Sequence, residues 1–243
     1  MNLKVHERIV RDALGDGQTM SEQALGWIIT ANKLSDLYQF TPERHFDNAP
    51  DREIICERWK NGLKVFLDRA VKLSAPMGKE RRMPENRKGA LKAFGAATHA
   101  LADFYAHTNW VELGVAQKNP EVLAPLFGKT CQSSDFPMQL ESGYFNLWYG
   151  IKGCPKVAGM LKPPRGYRYC HEQIAKDHPG KGHGAERIGM DGPTYHEVAV
   201  VLATRATNQL WKTLHECIVT RYSTDVTGDV ETFFMKVAWG EDG

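Results

Sequence analysis

The sequence predicts an all-α fold, a single-domain helical bundle with a long loop region late in the chain. Three observations predict it. Apolar residues recur at helical spacing through most segments. Strand signals are few, and 230-VETFFMKVAW-239 is the one ambiguous run. No internal repeat or linker divides residues 1–243, so the chain is read as one domain.

Taken in order, residues 4–14 form a short helix stopped by 15-GDG-17. A capping-box pattern, Thr19 to Glu22, opens a second helix through residues 23–38. After the loop 41-TPERHFDNAP-50, residues 51–74 form an amphipathic segment. Its Ile55, Trp59, Leu63, Phe66 and Ala70 recur at helical spacing. Pro76 and Pro84 bracket a basic loop, and the next helix begins near Glu85 and carries 98-THALADFYAHTNWVELG-114. Asn119 before Pro120 predicts a further helix start by its cap and first-turn chemistry. Residues 142–192 are rich in Gly and Pro without a period, the pattern of a long ordered loop that covers a site. The last long helix begins near Pro193 and continues through 196–222.

Composition narrows the function classes. With 42% hydrophobic and 25% charged residues and a formal charge of +2, the chain has no general electrostatic pull toward nucleic acid or anionic membrane. The run 79-KERRMPENRKGALK-92 is the one basic concentration, read first as a solvated loop and helix start. Five scattered cysteines contain no C-x-x-C pair, which argues against a zinc ribbon. Cys131, Cys154 and Cys170 fall in loop-rich sequence where one bridge has room to form. The opening residues carry no cleavable leader, so location is left open between the cytoplasm and export without one. No eighteen-residue apolar run exists to span a membrane.

His99, Asp103 and His107 pose the chemical question. Each four-residue step moves only about 40° around a helix axis, so the three share one side, with Ala96 and Ala100 as small neighbours. From Phe94 to Ala106 there is no Lys, Arg, Glu, Gln or Asn, so the helix reads as buried. An unpaired carboxylate inside a core is costly. A divalent metal resolves that conflict, because imidazole and carboxylate are its ligands where thiolates are absent. The competing reading is a polar row facing a solvent cleft, and Lys88 and Lys92 on the same side support it. His6 opens a helix, Asp36 closes one and His45 sits in the HFDN loop, so each is placed to aim into the same cleft. Phe46, Tyr105 and Trp110 are candidates for its walls; His178 and His215 are read as a loop residue and a packing residue.

The ordered set of His6 in VHERIVRDAL, Asp36 after ANKLS, His45 in HFDN, then HALADFYAHTNWVELG, LESGYF and HEQIAKD resembles the zinc-dependent phospholipase C and single-strand-specific zinc nuclease superfamily. The likeness is greatest to its HET-C-like branch. That resemblance implies an all-helical fold with two or three Zn2+ ions in a cleft. Residues His6, Asp36, His45, His99 and Asp103 would hold the first ions, and His107 the remaining one. His196 ranks first to complete the site, then Asp177, with His171 and His183 behind. The implied function is phosphodiester hydrolysis by metal-activated water, with Asp36 as a further ligand or as proton acceptor. A phospholipid headgroup is the favoured substrate, with peripheral membrane contact. Single-stranded nucleic acid is the alternative, as is a non-enzymatic zinc protein acting through a partner or membrane. Two features depart from the family pattern: the chain has Met1 and Asn2 where those phospholipases present a terminal Trp, and Val200 where a Glu would follow His196 by four residues.

Overall fold

Helix α6 (Met83–His107) is the axis around which the other helices assemble in the computed structural model. The structure describes residues 1–15, 20–38, 41–74, 83–124, 131–146, 154–157 and 159–222. Every position from Ala93 to Val111 is buried, because this stretch is made of Ala, Phe, Leu and Gly with few polar groups. Small residues let neighbours come close. At Gly95 a Cβ would lie 2.4 Å from the Ile28 carbonyl oxygen, so α2 (Glu22–Ser35) crosses in direct backbone contact. The Asn32 amide donates to the Thr98 hydroxyl at 2.9 Å across that crossing. Helix α5 (Val65–Leu73) and helix α9 (Tyr195–Tyr222) flank α6 elsewhere, and α1 (Leu3–Leu14) lies against α9 and α2.

Local signals explain the element ends. Asn2, Ser21 and Asp51 each accept backbone N–H groups at the starts of α1, α2 and α4 (Arg52–Arg58). Thr19, the first half of the expected capping box, lies outside the described residues, as do 230–239 and the first part of the basic run. The amphipathic segment 51–74 is helical throughout but widens into a π-turn at Trp59–Lys64, between α4 and α5. Gly62 sits in that turn because a Cβ there would meet the Glu43 carbonyl oxygen at 2.2 Å, in the short helix α3 (Pro42–His45).

One expected helix start is an end instead. Helix α7 (Trp110–Ala116) finishes with Lys118 at φ 56°, the Lys118 N–H bonding to Val115 and the Asn119 N–H to Gly114. This is a Schellman-type stop. The polar residue before Pro120 closes a helix rather than opening one, and 119–121 form a turn.

The loop region after Glu141 is ordered by anchors. Bridges pair Thr108 with Ser142 and Tyr144 with Cys170. A short helix α8 (His171–Ile174) follows, preceded by a two-stranded antiparallel hairpin, β1 (Lys156–Val157) and β2 (Met160–Leu161). Cys154–Cys170 closes the base of the hairpin segment, and Cys56–Cys131 ties α4 to the chain ahead of Ser133; Cys217 is a free thiol. No described helix is long and apolar enough to cross a membrane.

Candidate metal centre

The row on α6 faces inward. Asp103 is fully buried, and both its oxygens meet imidazoles: Oδ1 lies 3.2 Å from His6 Nε2, and Oδ2 lies 2.9 Å from His45 Nδ1 and 3.2 Å from His99 Nε2. His99 Nε2 is 3.3 Å from His45 Nδ1, and the rings of His6 and His99 stack at 4.4 Å. The Met1 amino group lies 2.9 Å from Asp103 Oδ1 and 3.0 Å from Asp177 Oδ1. Burial alone would raise the Asp103 carboxyl, but that amino group and the surrounding imidazoles hold it well below the usual carboxylate range. Burial drives His6 the other way, down to about 3, so its ring is neutral in the fold.

The HFDN loop delivers two candidate donors and one core residue by a backbone device. Phe46 and Asn48 both sit in the left-handed region, at φ 54° and 57°, where non-glycine residues are uncommon. Phe46 is thereby turned into an aromatic core with Trp59 and Phe104, at ring separations of 6.0 and 5.3 Å. His45 and Asp47 on either side of it face the site. Asn48 is held by donating to the Phe145 carbonyl at 2.9 Å and accepting the Phe145 N–H at 2.7 Å. Backbone strain of this kind, stabilised by its surroundings, is common where side chains must be aimed.

A second focus lies one helical turn along α6. His107 donates from Nδ1 to the His45 carbonyl at 2.8 Å, which leaves Nε2 facing Asp177 Oδ1 at 3.0 Å. His171 places Nδ1 2.9 Å from Asp47 Oδ1 and Nε2 3.4 Å from Asp177 Oδ2. Burial would lower His171, but Asp47 and Asp177 raise it to about 10 in the absence of a metal. Lys176, fully buried, anchors this loop by donating to the carbonyls of Thr108 and Ile174 and to Glu112. Met1, Asp36, His45, Asp47, His107, Phe145, His171 and Asp177 line an open cleft of about 200 Å³.

The eight residues expected to bind metal distribute as follows. His6, His99 and Asp103 form one group whose ligand atoms lie within 4.8 Å of each other, and Asp36, His45 and His99 form another. His107 joins a third with Asp47 and His171. Asp177 contacts His107 and His171 without being a member of those groups. His196 also stands outside them, donating from Nδ1 to the Lys176 carbonyl at 2.6 Å, beside Asp177 and the Met1 amine. His183 binds Glu112 and Glu186 instead. Asp47 was not anticipated, although it sits two residues after His45 in the quoted HFDN, and His171 outranks its expected place. The proposed cleft walls differ too. Phe46, Tyr105 and Trp110 are core residues, and Phe145 lines the cleft.

The donor set fits a metal by an independent criterion. Three buried imidazole nitrogens, Nδ1 of His6, Nε2 of His45 and Nδ1 of His99, have no hydrogen-bond partner among the described residues. Orphaned buried polar atoms are rare in folded proteins and call for a ligand. In His107 and His196 the Nδ1–H is held by a backbone carbonyl, an arrangement that fixes the tautomer and presents Nε2 as a metal ligand.

Fold and site together define a class: an all-α domain with a buried His/Asp cluster opening on a cleft. The particular likeness is to von Willebrand factor A domain-containing protein 7. A family model described as the VWA7 N-terminal domain matches residues 13–132. The mouse (Mus musculus) protein is 38% identical over 104 residues, covering 42% of this chain and 10% of that protein. The rat (Rattus norvegicus) and human (Homo sapiens) proteins are 36% and 35% identical over 107 and 109 residues, with the same coverage. The match therefore spans a tenth of those proteins. No solved structure matches.

These findings correct the family expectation. They point to a VWA7-like family rather than to the zinc-dependent phospholipase C and nuclease superfamily or its HET-C-like branch. The expected phosphodiester hydrolase activity, with Asp36 as its catalytic residue, falls with that resemblance, since no enzymatic assignment accompanies the matched family. The physical reason lies in the motif. A His-x-x-x-Asp-x-x-x-His row aligns ligands on any helix, and its geometry specifies neither an ancestry nor a reaction.

Proposed function

We propose that this chain is a metal-binding domain, holding divalent ions that join remote helices and loops and present one ion to the cleft. The observation that carries this reading is the set of three buried imidazole nitrogens, on His6, His45 and His99, that have no partner among the described residues. One ion would draw on His6, His99 and Asp103; another on Asp36, His45 and His99; a further one on Asp47, His107 and His171. The first two groups share His99, so the set suits two ions, or three if both nitrogens of His99 are used. Nitrogen and oxygen donors without sulfur suit Zn2+ among the divalent metals, and Zn2+ is the first ion to test. A bound ion would supply positive charge to the carboxylates of Asp103 and Asp47, both buried in the fold. The Asp47 group opens to the cleft, where an oxygen-donating or anionic group of a binding partner would meet it.

The test is elemental analysis of protein purified without chelator, followed by calorimetric titration of the chelated protein with Zn2+. Two or three ions per chain are expected, with recovery of the same stoichiometry on titration. Less than a tenth of an ion per chain, with no saturable heat, would overturn the reading.

A further inference from the structure

The hairpin segment between the Cys154–Cys170 disulfide combines two features that the metal centre does not use. Val157 and Met160 are direct partners in the ladder, so their side chains share one face of the ribbon. They are 52% and 71% exposed, at the tip of a turn made by Gly159 at φ 82°. Around them the described residues from Cys154 to Cys170 carry Lys156, Lys162, Arg165 and Arg168, all exposed, and no Asp or Glu. Arg168 is partly balanced by Glu141, 3.5 Å away. Among the described residues, Lys156, Lys162 and Arg165 have no ion pair. A solvated loop needs neither the paired apolar tip nor the one-sided charge.

We propose that this hairpin is a docking element for an anionic lipid surface, with Val157 and Met160 entering the boundary between headgroups and acyl chains and the cations meeting lipid phosphates and carboxylates. Charge complementarity selects the lipid, since cations beside a negative leaflet are attracted within a Debye length. The apolar tip favours a bilayer over a nucleic acid, whose phosphates give an apolar face nothing to bury against. The support is rigid. The disulfide closes the base, the Lys162 N–H bonds to the Pro155 carbonyl at 2.9 Å, and Tyr144 and Cys170 bridge to the body. His171, which lines the cleft, follows Cys170 directly, so the base of the hairpin segment adjoins the cleft. This proposal does not rest on metal binding.

The experiment is co-sedimentation of the full chain with vesicles of phosphatidylcholine alone and with roughly a third phosphatidylserine. Tight binding to the anionic vesicles alone is expected, weakening as salt is raised. Lys162→Glu with Arg165→Glu should weaken it by roughly tenfold or more. Val157→Asp with Met160→Asp should weaken it to a similar degree at low salt. All four positions are exposed, and unchanged melting temperatures would show that the variants fold. Equal binding to both vesicle types, or wild-type binding by either folded double variant, would overturn the proposal. Chelator should leave binding unchanged, which separates its failure from failure of the metal reading.

Discussion

Both oxygens of Asp103 are engaged, Oδ1 by the Met1 amine and His6, Oδ2 by His45 and His99, all inside the core. Asp103→Asn keeps the shape and removes the charge. It is expected to lower the bound metal count and to destabilise the fold by about 3–5 kcal/mol, the usual cost of stranding buried charge partners. Metal analysis and urea unfolding check both. His178→Ala, at an exposed position, should change neither. Acid should act on the metal-free protein in two steps. His6 is held neutral down to about 3, while the unfolded chain takes up its proton near the ordinary value of 6.5. Stability therefore falls as pH drops below 6.5. Asp47, Asp103 and Asp177 are depressed, so their contribution is present above the ordinary carboxylate range and is lost as pH falls further. His171, raised to about 10, contributes below 6.5 and ceases to do so as pH rises through 10. His6→Gln should flatten the dependence of urea midpoints on pH between 6.5 and about 4.

At the scale of elements, glycines separate helices that must touch from helices that need not. Gly26 on α2 has open space where a Cβ would go, so Gly26→Ala should stabilise by about 0.5–1 kcal/mol through helix propensity. Gly95 on α6 faces the Ile28 carbonyl, so Gly95→Ala should destabilise by about 1–3 kcal/mol as α2 is pushed away. Thermal melts of the two variants should shift in opposite directions. The same helices show what local sequence conveys. The apolar period of 51–74 gave a helix, while its π-turn holds Gly62 where α3 brings the Glu43 carbonyl oxygen within 2.2 Å of where a Cβ would lie. The Asn119–Pro120 pair reads equally well as a start or a stop, and the Schellman-type bonds of α7 decided for a stop.

For the whole molecule, the candidate donors come from α1, the end of α2, α3 and the turn after it, α6 and α8, segments that an extended chain would hold far apart. An ion bound there binds the folded state alone, so it is linked to stability. With free Zn2+ a thousandfold above its dissociation constant the gain is about 4 kcal/mol. Chelation should accordingly lower the melting temperature by roughly 10 °C, using the few degrees per kcal/mol of a chain this size. A melt indifferent to chelator would count against the metal centre. Much of this site was legible beforehand: His99, Asp103 and His107 share a helix face by spacing alone, and His6, Asp36 and His45 were recognisable as donors on separate segments. Asp47 and His171 were harder to see, because their convergence depends on left-handed Phe46 and Asn48 and on a loop anchored by buried Lys176.

Helical period, a buried polar row and the absence of strand patterning are properties of local spacing, and they determined the all-α fold and the inward-facing donors of α6. Which donors from other segments meet that row, which loop residue lines the cleft and which hairpin stands free in solvent were decided only by the tertiary structure. Those outcomes depend on contacts between residues distant in sequence, set by backbone approach at Gly95 and Gly62 and by disulfides and loop anchors that no local pattern encodes.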